Sequence, residues 1–305
     1  MQTDYHIYRN KQDIGKRIRY LHSEEPLSIA LLVNDFESEI LDSISYYSTY
    51  FDVPLFVLLF EDNRKLAELR LQFPSVSFIV FTQPASMGAA INVMANECFT
   101  TYFWVTRSDI RVESFDFDMV LEQFNRSERP SQISPILSNR FDERLPVVHL
   151  PKVDRNFIDP VPLIPSEKST GTLYPFFGLG IYERALFQRL RGFDESISTE
   201  YWQILDFGIR CWLFGYSIFT LDSFHMKFPY RQFIIENRSE QDGFKRCLTK
   251  ALGMRQLNGK NYPKTIGRYT DRTYLKKEMA KRLALYKMDF NELMNQWKAP
   301  KTEID

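Results

Sequence analysis

Residues 27–33, Leu-Ser-Ile-Ala-Leu-Leu-Val, form a run that is apolar apart from Ser28, and the polar residues Asn34, Asp35 and Ser38 lie just behind it. A short run rich in Ile, Leu and Val is the pattern of a parallel strand buried on both faces. The polar residues behind it can cap a helix start, and residues 39–51 carry an apolar stripe at Ile40, Ile44 and Tyr47. The same unit recurs downstream. Residues 54–60 read as a second strand, 64–72 as a helix and 76–81 as a third strand. Residues 86–99 then give a helix with Ile91, Met94, Ala95 and Cys98 inward, and 101–106 a fourth strand. Strands and helices in this alternation predict an α/β fold, a mostly parallel sheet with helices on both faces.

Ligands of such sheets lie at the carboxyl ends of the strands. The residues there are Asn34 and Asp35; Glu61, Asp62 and Asn63; Gln83; and Arg107, Ser108 and Asp109. Three of these four clusters hold an acid, so a phosphate-bearing ligand would need a metal or a nearby cation.

The second half is less regular. Residues 133–137 and 147–153 read as strands around a turn, and 154–171, rich in Pro, Asp and Ser, as a long surface loop suited to a lid. Helices over 183–191 and 201–214 stop at Gly192 and Gly215, and 217–221 reads as a strand.

Several classes drop out. No G-x-G-x-x-G follows the first strand, and neither a Walker A sequence nor G-x-S-x-G is present. The four histidines are not paired at metal-helix spacing. Cys98, Cys211 and Cys247 are an odd, scattered set, which argues against a disulfide framework and for a reduced, intracellular compartment. Residues 1–20 lack an apolar core of the signal-peptide kind, and the densest apolar run, 53–60, is too short to span a bilayer. The expectation is a soluble cytoplasmic protein, or one lying on the cytoplasmic face of a membrane.

Taken in order, the segments Ser28 to Val33, Phe60-Glu61-Asp62-Asn63, Gln83 to Asn92 with Gly88 inside it, and Trp104-Val105-Thr106-Arg107-Ser108-Asp109 form a series. It continues through Arg191-Gly192-Phe193-Asp194-Glu195 to Leu205-Asp206-Phe207-Gly208-Ile209-Arg210 and Gly215-Tyr216. The series resembles the inverting glycosyltransferases of the family-2 type, with the GT-A fold, over roughly residues 27–225. The resemblance implies transfer of a sugar from a nucleotide-diphosphate donor, UDP-sugar favoured, to a hydroxyl of a glycan or lipid-linked acceptor. Glu61 or Asp62 would read the base, with Asn34, Asp35, Gln83, Gly88, Asn92, Arg107 and Asp109 on the donor side. Asp194 and Glu195 would lie toward the acceptor, and Asp206 matches the acid that deprotonates the acceptor hydroxyl. A divalent metal, Mn or Mg, would be held by Asp109 and His225.

The series also departs from the family. Arg107 stands at the first Asp of D-x-D, Leu205 at the first acid of E-D, and Arg191 at the first Gly of G-G-F-D-E. Guanidinium binds phosphate in a bidentate fashion, so Arg107 is expected to pair with the diphosphate and partly replace the metal. The alternative is a non-catalytic module of the same fold that binds a sugar nucleotide or a partner protein. Plainer roles exist for each residue: Asp109 as a turn cap, Asp206 as the i+4 partner of Arg210, His225 as a satisfied polar group, and residues 192–195 as a structural turn.

From residue 244 to 305 the chain carries fifteen Lys/Arg against six Asp/Glu. Within this tail Leu275, Met279, Leu283, Tyr286, Phe290, Leu293 and Trp297 make one apolar stripe, predicting a basic amphipathic helix over 274–297. Such a helix can lie on an anionic membrane or pack onto the domain or a second subunit, and packing is favoured. No nucleic-acid reader motif accompanies the charge. The expected organisation is an N-terminal extension (1–26), a GT-A-like domain (27–232) and a helical basic C-terminal extension (233–305).

Overall fold

The computed structural model describes residues 3–9, 25–33, 37–60, 66–126, 130–166, 168–239 and 242–297. Asn34, Asp35, Glu61 and Asp62 lie outside them. Strands β1 (Tyr5–Tyr8), β2 (Leu27–Leu32), β3 (Leu55–Leu59), β4 (Ser77–Phe81) and β5 (Tyr102–Arg107) build one half of a ten-stranded sheet. The other half holds β6 (Arg111–Phe115), β7 (Pro130–Ser138), β8 (Ser169–Gly171), β9 (Gly180–Glu183) and β10 (Ser217–Lys227). The order is β1-β4-β3-β2-β5-β9-β7-β10-β8, with β6 paired to β10.

Strands β4, β3, β2 and β5 are parallel. Beyond β5 the sheet is mixed: β9 runs antiparallel between β5 and β7, and β10 returns parallel to β7. Strand β1, from the expected N-terminal extension, adds an antiparallel edge to β4.

Alternation along the central strands divides their side chains between two cores. Ala30, Leu32, Phe56, Leu58, Phe103 and Val105 face helices α3 (Met87–Glu97), α6 (Glu200–Leu213) and α7 (Phe244–Leu252). Ile29, Leu31, Val57, Leu59 and Trp104 face Ile40, Ile44 and Tyr47 of α1 (Glu37–Tyr50). Helices α2 (Leu66–Gln72), α4 (Phe117–Phe124) and α5 (Arg184–Arg189) complete the layers. Both faces of the sheet are therefore covered, which is what the apolar run at residues 27–33 requires. Cys98, Cys211 and Cys247 are buried free thiols.

The chain leaves β2 for β3 and β4 on one side and then crosses back to β5 on the other. The reversal of strand order thus falls between the carboxyl ends of β2 and β5. In open α/β sheets that crevice is where ligands bind.

Two expectations are corrected. Residues 154–171 are not one open loop. Val153–Asp154 pairs with Phe157–Ile158 around Arg155 and Asn156, both at positive φ as a tight hairpin turn requires, and Val148–Leu150 pairs with Val161–Leu163. Ile158 is fully buried. Nor is 274–297 one helix: helical turns from Arg272–Tyr274 to Leu283–Leu285 stop, and Phe290–Gln296 starts anew on the Asp289 cap. The break follows from competition for backbone groups. The Asn261 amide donates to the carbonyls of Leu283 and Tyr286, and the Lys287 N–H donates to the carbonyl of Leu213. The apolar stripe itself is real and packs inward, with Met279, Tyr286, Phe290 and Leu293 buried in the α6–α7 core and Trp297 on Trp212. No helix among the described residues is long and apolar enough to cross a membrane.

Candidate functional site

Arg107 ends β5, and the turn after it is pinned from two sides. The Ser108 N–H donates to the carbonyl of Leu32 at the end of β2 (2.9 Å), and the Ser43 hydroxyl of α1 donates to the carbonyl of Ser108 (2.6 Å). This fixes Asp109 at the mouth of the β2–β5 crevice. Its carboxylate pairs with Arg231 Nη2 at 2.5 Å and lies 3.7 Å from Arg107 Nε. Arg107 reaches in turn to Glu200 in the first turn of α6, Nη1 to Oε1 at 3.2 Å. Among the described residues, two guanidinium groups and two carboxylates thus meet in one place, with formal charges summing to zero.

The Arg107 guanidinium also lies over the Phe177 ring, 5.4 Å from its centroid. Phe177 has φ 52° and ψ 21°, a left-handed conformation that costs a bulky residue about 1–3 kcal/mol. Phe176 is buried before it, and Gly178 after it has φ +66°. Strain of this kind gathers at functional sites, where the surroundings hold a side chain in place.

Arg231 comes from residues 229–239, an irregular strap that follows β10. The strap is anchored by the Arg140 N–H to the Arg231 carbonyl (2.9 Å) and by the Trp202 indole to the Ser239 carbonyl (2.8 Å). Midway, the Tyr174 hydroxyl donates to Glu236 Oε2 (2.7 Å), which also accepts from Arg238 (3.3 Å). Burial pushes the Glu236 carboxyl up to about 7, against the pull of Tyr174 and Arg238, and the nearby Glu200 adds to the rise. At the carboxyl ends of β3 and β4, His6, Tyr8, Phe60 and Gln83 line a cavity of about 640 Å³.

The structure distributes the expected site residues unevenly. Arg107 and Asp109 stand together at the crevice, and Gln83 lines the neighbouring cavity. Gly88 and Asn92 are occupied in packing instead. A Cβ at Gly88 would lie 2.4 Å from Gln203 Oε1, and the Gly88 N–H donates to that same oxygen. The Asn92 amide exchanges two hydrogen bonds, each 2.9 Å, with the backbone of Phe193. It thereby holds the turn at Arg191 and Gly192, both at positive φ.

Asp194 and Asp206 belong to a buried charge cluster rather than to the crevice. Asp206 has no exposed side-chain surface; it pairs with Arg210 at 2.8 Å and Lys250 at 2.9 Å. Arg210 passes on to the carbonyls of Leu190 and Gly192. Asp194 pairs with Arg246 at 2.6 Å and with Lys250. Burial alone would raise the Asp194 carboxyl, but Lys250 and Arg246 hold it well below the usual range. This arrangement differs from that of an acceptor-facing base: α7 brings Lys250 onto the carboxylate and closes it off. Glu195 is exposed and accepts from Asn92 (3.1 Å).

The two expected metal donors have other partners in the structure. Asp109 already faces Arg231 and Arg107, and His225 Nε2 lies 3.2 Å from Asp222. Two guanidinium groups beside the carboxylate oppose a divalent cation, and no set of three His, Cys, Asp or Glu able to hold one occurs among the described residues. Sequence reasoning missed Arg231, Glu200, Phe177 and Glu236. Nothing local marks them, although aromatic-flanked Arg231 just after a strand end was a usable hint.

No protein-family model matches the chain, and no curated protein matches it. Among solved structures, one of GalNAc-T7 with UDP, GalNAc and Mn2+ superposes with a TM-score of 0.64 at 12% identity, over 90% of this chain and 57% of that one. The mannosyltransferase PcManGT from Pyrobaculum calidifontis with GDP-Man and Mn2+ gives 0.48 at 9% identity, over 70% and 59%. S. aureus TarS gives 0.46 at 13%, over 67% and 36%. The chain spans little more than half the length of the GalNAc-T7 structure. What is shared is the fold: a mixed central sheet flanked by helices with a helical C-terminal region, a GT-A-like architecture of the kind found in glycosyltransferases that use nucleotide sugars.

Proposed function

We propose that the chain binds a nucleotide-activated sugar along the carboxyl ends of β3, β2 and β5 and transfers the sugar to an acceptor hydroxyl. The observation that carries this reading is the convergence of Arg107 and Arg231 on the crevice where the strand order reverses. The diphosphate lies against these guanidinium groups, whose paired N–H donors match phosphate oxygens, and the base extends toward the cavity beside Gln83. As the glycosidic C–O bond breaks, negative charge grows on the departing diphosphate, and fixed cations at that point lower the barrier. Arginine here takes the place the family-2 type gives to a metal-binding acid, so binding needs no divalent ion.

Thermal unfolding with UDP, GDP and ADP, each with manganese and with EDTA, tests the reading. One nucleotide at about a hundred times its dissociation constant should add roughly 2.7 kcal/mol of stability. The gain should persist in EDTA and vanish in Arg107→Ala. No gain with any of the three would refute the donor site, and a gain abolished by EDTA would refute the arginine clamp.

A second reading, a sugar-nucleotide-binding module without turnover, is favoured by the closed environment of Asp206. Nucleotide binding without release of UDP from any UDP-hexose would select it.

A further inference from the structure

We propose that Glu200 is the catalytic base of this site, withheld by Arg107 until the donor diphosphate takes over the guanidinium. The inference rests on the donor-site reading and assigns a proton acceptor to it. Among the described acids around the crevice, Asp109 is 7% exposed and paired on both sides, and the Glu236 side chain is 4% exposed and bonded to Tyr174 and Arg238. Asp206 is sealed under Lys250. Glu200 is 39% exposed, stands in the first turn of a 14-residue helix, and touches the clamp itself.

Electrostatics supplies the reason for the exchange. Among the described residues, Arg107 and Arg231 are balanced by Asp109 and Glu200, and these four groups together offer a diphosphate no net positive charge. Asp109 is held by the pinned turn and cannot leave. The part-exposed Arg107–Glu200 pair is worth little, and a diphosphate carries more charge and two oxygens for the same guanidinium. Donor binding therefore displaces Glu200, which leaves the site with net positive charge toward the phosphates. It also leaves a carboxylate, freed from its guanidinium, beside the bound sugar.

The acceptor oxygen forms a bond to the anomeric carbon while the bond from that carbon to the diphosphate oxygen breaks. The bonding pair leaves with the diphosphate, whose added charge faces Arg107 and Arg231. The hydroxyl proton passes to the Glu200 carboxylate. Attack from the side opposite the leaving group inverts the anomeric centre.

Glu200→Gln keeps the shape and removes the charge at a part-exposed position. UDP binding, measured by calorimetry in EDTA, should become several-fold tighter because a competitor for Arg107 is gone. Release of UDP from UDP-hexoses, with water or an oligosaccharide as acceptor, should fall at least 100-fold, the usual scale of general-base catalysis. Glu200→Asp should recover part of that loss. Wild-type turnover in Glu200→Gln, or turnover and UDP affinity lost together, would overturn the assignment while leaving the donor site intact. A wild-type protein that binds no UDP, GDP or ADP would instead refute the donor site and, with it, this role for Glu200.

Discussion

Asp206→Asn keeps the shape of the side chain and removes one charge from the cluster of Asp194, Asp206, Arg210, Arg246 and Lys250. Three cations then face one carboxylate where two stood before. Lys250 and Arg210, 2% and 7% exposed, lose the acid they share. Neither can move into water, because Arg210 is bonded to the Leu190 and Gly192 carbonyls and Lys250 sits inside α7. Removing one partner of a buried pair costs about 3–5 kcal/mol. At roughly 2 °C per kcal/mol for a chain of this size, the melting point should drop on the order of 6–10 °C. Lys250→Met, which leaves two acids opposite two arginines, should cost less. Urea unfolding followed by tryptophan fluorescence gives both values on one scale. If Asp206→Asn unfolds at the wild-type midpoint yet loses sugar transfer, the carboxylate does chemistry and the structural account is wrong.

Two further outcomes follow from single side chains. Glu236 has its carboxyl raised from 4.5 to about 7 in the fold, so the folded state keeps a proton that the unfolded chain loses. Stability should therefore fall by about 3 kcal/mol as pH rises from 4.5 to 7 and level off above, and Glu236→Gln should remove that slope; an unchanged slope in the variant would refute it. Gly88→Ala should destabilise by about 1–3 kcal/mol despite alanine's better helix propensity, since its Cβ would meet Phe193 Cβ at 2.6 Å and Gln203 at 2.4 Å; an unchanged melting point would show that α3 and α6 can part.

The parallel half of the fold was legible because each piece announces itself locally. The run at residues 27–33 has no polar face to expose, and the helices between strands carry their own stripes. Strand β9 was not legible: four residues, Gly180–Glu183, acquire their role by inserting between β5 and β7. The tail shows the opposite case. Its apolar period correctly marks what is buried, yet the period does not reveal that Asn261 and Leu213 take the backbone groups a continuous helix would need.

The crevice was half legible for a related reason. A strand end can be read from sequence, so Arg107 and Asp109 were found, but their partners arrive from far along the chain. Glu200 is 93 residues from Arg107, and Arg231 stands in a segment without periodicity. The same distance explains Asp206. Its i+4 relation to Arg210 is visible in the sequence, whereas Lys250, 44 residues on, is what removes the carboxylate from solvent. The departure at Arg107 thus has a physical consequence. An arginine at the strand end needs carboxylates around it, and Asp109 and Glu200 supply them from the pinned turn and the start of α6. With Asp206 committed to the cluster beneath, the part-exposed acid at that helix start is the group to which the proposal gives the acceptor's proton.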